Sequence, residues 1–350
     1  MRALRFHAAG DVRVDDVAEP PAPGPGEVLV APAVCGICGT DLHEFLSGPT
    51  RTCVDPHPVT GGRIPQILGH ELSGAVVAVG PGVRSVAAGD RVAVMPLVTC
   101  GACAACTAGR GQHCALRAAV GLRHPWGGMA PLALVGEAQV ARVPAGVSLE
   151  QAALVEPAAV AASAVAAGGL DGGGAVLVLG AGPIGALAAL VAREQGAADV
   201  VVAEPQPGRA ARMRDLGFDV LDPAAADVAR ACRDRHPGGV DAAIECSGSP
   251  AAVRAALAAV APGGRVVQAG LVERPLEVDA LDLTLRGVSW IGSVGYPLDA
   301  WPGLLDRVAA GALPLERVVT GRVALEDAVA GGFRRLAAGG DDVKLLVDVA

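Results

Sequence analysis

Residues 175–185 read Ala-Val-Leu-Val-Leu-Gly-Ala-Gly-Pro-Ile-Gly, and this stretch decides the fold of the second half of the chain. Five apolar residues make a buried strand, and Gly180, Gly182 and Gly185 follow at once as a G-x-G-x-x-G turn leading into an Ala-rich helix. Such a turn suits a dinucleotide pyrophosphate. The first glycine makes the tight turn, the second lets the backbone approach the phosphates, and the third lets helix and strand pack closely. The free N–H groups at the helix start, carried here by Ile184 and the residues after it while Pro183 presets the first turn, attract the anion. Glycine clusters also make ordinary turns, so context carries the reading. The next strand, DVVVA, ends in Glu204, near the offset at which an acid binds a ribose 2′-hydroxyl. A carboxylate there repels a 2′-phosphate and favours NAD over NADP, with Arg209 as the residue able to accept phosphate if it turned inward. The bland alternative is that Glu204 caps a surface turn before Pro205.

Working outward, strand-like runs alternate with Ala-rich helical stretches from about Leu170: AVLVLG, DVVVAE, VDAAIECSG and GGRVVQAG. The expectation is a doubly wound parallel sheet. From Val28 to about Pro144 the pattern is short β-branched runs broken by Gly and Pro, which reads as a β-rich domain. Past Trp290 come a helix from about Trp301 to Ala310, then TGRVALEDAVAGGFRRL, and a last strand, VKLLVDV. Periodicity alone does not place this tail. The expected division is 1–155 with 295–350 as one domain, carrying a cysteine lobe at about 97–116, and 156–294 as the other.

Two domains also fit the 350 residues. A hydrophobic share of 52% against 18% charged gives ample apolar surface for a core, and only 2% is aromatic, so Ala, Val and Leu must fill it. Lys344 is the single lysine among 28 basic residues, a bias that reads as composition rather than chemistry. A net charge of −8 argues against nucleic-acid or anionic-membrane surfaces and for a small-molecule partner. The first residues show no basic-then-apolar leader and no run reaches membrane-spanning length, so a cytoplasmic enzyme is expected.

Of the 9 cysteines, Cys100, Cys103, Cys106 and Cys114 form C-x2-C-x2-C-x7-C. Four thiolates from one loop suit a tetrahedral structural zinc with no open position. An iron–sulfur cluster and two disulfides are the alternatives, disfavoured by the nicotinamide chemistry and by the missing secretion signal. Upstream, Cys35-Gly-Ile-Cys38-Gly-Thr40-Asp41-Leu-His43-Glu44 and Gly69-His70-Glu71 supply a thiolate, an imidazole and carboxylates, a ligand set for a catalytic zinc.

In that order CGICGTDLHEF, GHELSG, the four-cysteine loop, ALVEPAAVA and GAGPIG resemble the zinc-dependent medium-chain alcohol dehydrogenase superfamily over essentially the whole chain. HPVTG before GHE, the pair Glu156-Pro157 and the late IGSVGY are most similar to its butanediol dehydrogenase branch, with sorbitol dehydrogenases next. The resemblance implies a GroES-like catalytic domain joined to a Rossmann domain, and homo-oligomers, dimers or tetramers. It implies that Cys38 and His70 bind the catalytic zinc and that Cys35 fills core space. The remaining ligand stays open between Glu71 and Glu156, and Glu156 has an alternative as a helix-start carboxylate. It further implies that Thr40 exchanges a hydrogen bond with the alcohol oxygen and that the proton leaves through His43, near Asp41.

The expected reaction is NAD-linked oxidation of a secondary alcohol to a ketone. A vicinal diol or hydroxyketone leads, as in 2,3-butanediol and acetoin, ahead of polyols and amino alcohols. A non-catalytic nucleotide-binding protein is the remote reading, and a zinc-independent reductase would lack both cysteine motifs. His57, His113, His124 and His236 read as solvated, and Cys53, Cys232 and Cys246 as small buried residues. Trp126, Trp290 and Tyr296 are candidates for the pocket wall. Relatives continue GGFAEY where this chain has Gly127-Gly128-Met129-Ala130-Pro131-Leu132, a departure on the substrate side.

Overall fold

A computed structural model of the chain describes residues 1–170 and 172–349. In its first half, strands Glu27–Gly36, Glu71–Val79, Arg91–Val94 and Val140–Arg142 form an antiparallel sheet, with Ala133–Gly136 also paired to Glu27–Gly36. The strand Glu27–Gly36 buries every second residue as far as Val34, then Cys35 and Gly36 as well. Alternation is what one packed face requires, and its loss marks where a second layer closes over the strand end. That layer is the tail of the chain. Strand Lys344–Asp348 pairs antiparallel with Val34–Gly36 and parallel with Val319–Ala324, so residues near both ends of the chain share one sheet.

Strands Arg2–Ala8 and Asp11–Asp16 form a hairpin beside this sheet, and Leu97–Val98 pairs with Ala118–Ala119 at the base of the cysteine lobe. Phe6, Leu68, Leu72, Met129, Phe333 and Leu345 fill the core between these pieces.

The second half is a six-stranded sheet, parallel throughout, in the order 219–221, 199–203, 175–179, 240–245, 260–268, 289–292. Numbered along the chain that order is 3-2-1-4-5-6, so it reverses beside Ala175–Leu179. All five residues of that strand are buried because helices cover both faces. Two of the six strands escape sequence reading. Asp219–Leu221 has three residues, and Ser289–Gly292 is an edge strand that is mostly exposed, so neither carries an apolar run.

The helices Val155–Ala167 and Pro183–Glu194 pack against this sheet through alanines, Ala158, Ala161, Ala188 and Ala189 among them. Small side chains let the backbones approach where a low aromatic content supplies no bulk. The helix anticipated near Trp301 runs Trp301–Ala309. No helix among the described residues is long and apolar enough to cross a membrane.

Candidate functional site

Strand Glu27–Gly36 delivers Cys38 to the start of helix Gly39–Ser47. Asp41, three residues in, accepts the Cys38 N–H at 2.9 Å and so caps the helix. Its other oxygen lies 3.5 Å from His70 Nδ1, and the carboxylate is fully buried. Asp41 is thus placed to orient His70, with no face toward the cavity. Burial opposes charge on the His70 ring, but Asp41 and Cys38 outweigh it and hold the imidazole well above its ordinary range. His70 and Glu71 lead into strand Glu71–Val79 from Gly69, whose φ of 96° and contacts with Cys35 and Met129 leave no room for a side chain.

The ligand atoms of Cys38, His70 and Glu71 all lie within 4.8 Å of one another, which is compact enough for one divalent ion. Glu156 falls outside that group but lines the same cavity, on the first turn of helix Val155–Ala167. Burial raises its carboxyl to about 7, and Tyr296 donates a hydrogen bond to it at 3.1 Å. The phenol is itself pushed well above its usual value, by burial and by the facing carboxylate.

Lys344 is a residue that sequence reasoning passed over. It is 1% exposed, its ammonium is ion-paired with Glu71, and it donates to the Ile37 carbonyl at 3.0 Å. Burial opposes its charge, yet Glu71, Cys38 and Glu156 hold the ammonium above its ordinary value. Its status as the only lysine was the available signal, and nothing local ties that residue to a motif 307 positions upstream.

Thr40, His70, Glu156 and Tyr296 share a cavity of about 500 Å³ with Leu271 and Val294 from the nucleotide half. His43 is not on this wall; its side chain is 40% exposed, with Nδ1 3.3 Å from Glu273, so the pair bridges the two halves of the molecule. Of the three aromatic candidates only Tyr296 belongs to this cavity. Trp126 packs with Ala3, Ile67 and Ala130, and Trp290 lies 41% exposed on the edge strand.

The histidines read as solvated divide. His57 is buried because its Pro- and Gly-rich loop folds back on the body, and it accepts the Val59 N–H at 3.3 Å. His124 is half-buried and accepts the Trp126 N–H, and His236 pairs with Asp199 at 2.7 Å. His113 is exposed and stands on the cavity wall. Cys232 is buried as expected, whereas Cys53 and Cys246 are only half-buried.

Glu44, on the same helix as His43, fixes the loop beyond it. Its buried carboxylate accepts from the backbone of Thr50 (2.9 Å), Arg51 and Thr52 (3.2 Å) and from both threonine hydroxyls. Burial opposes ionisation, but these donors prevail and hold the carboxyl below its usual value. Glu44→Ala is therefore expected to cost about 3 kcal/mol at neutral pH, since several donors lose a charged acceptor at once. Because the folded value is depressed, this contribution is complete above the unfolded value of 4.5 and is lost as the pH falls through the folded one. Urea unfolding at pH 7 and pH 3 should show the gap between wild type and variant closing at the acid end, and a gap that stays constant would refute the assignment.

The four loop cysteines converge as their spacing anticipates. Sulfur pairs lie 3.5 Å (Cys103 and Cys106), 3.5 Å (Cys100 and Cys114) and 3.9 Å (Cys100 and Cys106) apart, close to the roughly 3.8 Å edge of a tetrahedron with zinc–sulfur bonds of about 2.3 Å. The thiols titrate as a set. The Cys106 N–H and thiol draw Cys103 down to about 6, and burial with the neighbouring thiols pushes Cys106 up to about 11.

At the nucleotide turn, a Cβ on Gly185 would collide with the Gly180 carbonyl, whereas the space before Gly182, which caps helix Pro183–Glu194, is open. A cradle clear in front and tight behind suits an approaching phosphate. Glu204 is 4% exposed and accepts the N–H groups of Ala181 (2.6 Å) and Gln206 (2.8 Å), at the junction of the two strands. Arg209 points away from this junction, donating to the Asp342 carbonyl at 3.0 Å.

Comparison with known proteins agrees with this architecture. The pattern "Alcohol dehydrogenase GroES-like domain" matches residues 24–145 and "Zinc-binding dehydrogenase" matches residues 183–310. The chain is 36% identical to (R,R)-butanediol dehydrogenase of Bacillus subtilis (strain 168), over 99% of each protein. The crystal structure of 2R,3R-butanediol dehydrogenase from Bacillus subtilis superposes with a TM-score of 0.93 at 34% identity, again over 99% of each chain. L-threonine 3-dehydrogenase of Pyrococcus abyssi (strain GE5 / Orsay) is 35% identical over 86% of this chain and 85% of its own. A zinc-binding dehydrogenase structure from Sinorhizobium meliloti 1021, with NADP bound, superposes with a TM-score of 0.89 at 33% identity, over 99% and 98% of the two chains.

Proposed function

The chain belongs to the zinc-dependent alcohol dehydrogenase family, and from that premise we propose that it interconverts a vicinal diol and the matching hydroxyketone with NAD. The observation that carries this reading is the meeting of Cys38, His70 and Glu71, with His70 joining Thr40 on the wall of a cavity shared by both halves of the molecule. Amino-alcohol oxidation is the second reading, favoured by the likeness to threonine dehydrogenase. In this scheme the domains are 1–155 with 295–350, and 156–294.

A zinc ion held by Cys38, His70 and a carboxylate would act as a Lewis acid toward the substrate oxygen. Glu71 is preferred as that carboxylate because it belongs to the compact group, whereas Glu156 lines the cavity outside it. Asp41 fixes the His70 ring, which keeps the ligand geometry from relaxing. Thr40 receives and returns the hydroxyl proton, and His43 at the solvent edge carries it out. Leu271 and Val294 make the apolar side of the cavity, where a hydride must cross. The open face of Gly182 takes the pyrophosphate, and Glu204 the ribose. NAD is preferred because Glu204 occupies the ribose position while Arg209 is held elsewhere by Asp342.

A second zinc is assigned to Cys100, Cys103, Cys106 and Cys114 in a structural role. Elemental analysis of Cys103→Ala should show zinc falling from about two to about one per chain, together with a lower melting temperature. Unchanged stoichiometry would remove that site. The exposed edge strand Ser289–Gly292 and the nearby Leu281 and Leu285, 66% and 77% exposed, suit a homo-oligomer built through the nucleotide half. A cytoplasmic location follows for an enzyme that relies on reduced thiolates.

The test is NAD reduction across 2,3-butanediol isomers, sorbitol, threonine and simple secondary alcohols, with and without a zinc chelator. Chelator-sensitive oxidation of a diol with NAD in preference to NADP is expected. Zinc-replete protein that oxidises threonine alone would establish the second reading, and protein inert on the whole panel would overturn both.

A further inference from the structure

The wall of the catalytic cavity carries three arginines, Arg51, Arg117 and Arg123. Among the described residues none of the three is ion-paired with a carboxylate. Other arginines do find acids, Arg235 with Asp199 and Asp219, Arg307 with Glu194, Arg322 with Glu150 and Asp348, so what sets these three apart is their place together on the cavity wall. The concentration of positive charge is also local, since the whole chain carries 36 acidic residues against 28 basic ones. Among the described residues Glu156 is the only carboxylate on that cavity wall.

The three residues come from separate loops that the fold ties together. Arg51 follows the Glu44-anchored turn, and its backbone N–H donates to that carboxylate. Arg123 Nε donates to the Arg51 carbonyl at 2.5 Å, while the Arg123 carbonyl accepts from Thr60. The Gln66 amide holds the adjoining His124 carbonyl at 2.6 Å. Arg117, next to the cysteine lobe, spends one donor on the Gln112 carbonyl at 3.3 Å. The Arg51 guanidinium makes no hydrogen bond within the described residues, and its backbone is fixed by Glu44 and Arg123. Gly182 and Glu204 of the nucleotide turn do not line this wall.

Unpaired guanidiniums facing a catalytic cavity attract an anion, through the focused field and through paired N–H donors that match a carboxylate or phosphate. We propose that the natural substrate is an anionic alcohol, a diol bearing a carboxylate or phosphate that Arg51, Arg123 and Arg117 bind while the reacting hydroxyl sits at Thr40. This rests on the diol reading above and narrows it. The reaction is unchanged: the carbinol C–H breaks, its hydride passes to NAD, and the hydroxyl proton leaves to solvent.

The experiment compares kcat/KM for 2,3-butanediol, 2,3-dihydroxybutanoate and glycerol 3-phosphate on wild type, Arg51→Gln and Arg123→Gln holoenzyme, at low and high salt. At least one anionic diol should exceed the neutral one by about tenfold or more, and the advantage should shrink as salt screens it. The ratio of anionic to neutral kcat/KM should fall about tenfold in Arg51→Gln, whose lost group makes no hydrogen bond among the described residues. Preference for the dihydroxy acid assigns a carboxylate, and preference for the phosphate ester assigns a phosphate. A neutral diol favoured in wild type, or a ratio indifferent to Arg51 and Arg123, overturns the proposal. Calorimetric titration with tartrate and inorganic phosphate separates the two readings. Binding lost in Arg51→Gln, with no diol oxidised, leaves the anion site standing and removes the diol. Absence of binding together with turnover of neutral diols alone does the reverse.

Discussion

Cys38→Ala is expected to lower kcat/KM by about three orders of magnitude, with zinc content falling by about one equivalent per chain. The magnitude follows from the several kcal/mol of charge stabilisation a Lewis acid supplies, at a factor of ten for each 1.4 kcal/mol or so. Cys38 is the right position to change because its thiolate caps no backbone group, so the helix Gly39–Ser47 keeps its Asp41 cap. His70→Ala should match it in activity but also destabilise the fold, since Asp41 would be buried without its partner. The same pair of measurements on Glu71→Gln and Glu156→Gln distinguishes the two acids: the metal ligand is the one whose loss removes zinc. If Cys38→Ala kept both zinc and activity, the assignment of the catalytic centre would fail.

Lys344→Met is expected to be the most destabilising single substitution considered, at about 3–5 kcal/mol in metal-free protein. The pair Lys344–Glu71 is fully buried, and deleting the ammonium leaves a carboxylate in the interior without a counter-charge. The Ile37 carbonyl loses its donor in the same change. Urea unfolding measures the effect. Glu71→Gln combined with Lys344→Met should recover part of the loss, because the stranded charge is then gone. A double variant no more stable than Lys344→Met alone would show that packing of the lysine stem, rather than the charge pair, is what matters.

What was legible in the sequence was local. Cys100, Cys103, Cys106 and Cys114 lie within one short loop, and the turn at Gly180–Gly185 joins a strand to its own helix. In both, the residues that must meet are already neighbours along the chain, so spacing alone limits the geometry. The alternation of buried strands and Ala-rich helices after Leu170 specified a parallel sheet for the same reason, through the period of the apolar residues. The edge strand Ser289–Gly292 was invisible, because with mostly exposed residues it carries no such period.

Tertiary structure decided what depends on segments far apart. It set Lys344 behind Glu71 by pairing the last strand with Val34–Gly36, although neither segment announces the other. It set Asp41 as the helix cap that faces His70, and it buried His57 by folding its loop inward. It also gathered Arg51, Arg117 and Arg123 onto one wall, although each alone reads as an ordinary surface arginine. A pattern along the chain fixes period and local turn geometry. The environment of a charge is fixed only once strands remote in sequence have paired, for burial and counter-charge are properties of the space around a side chain.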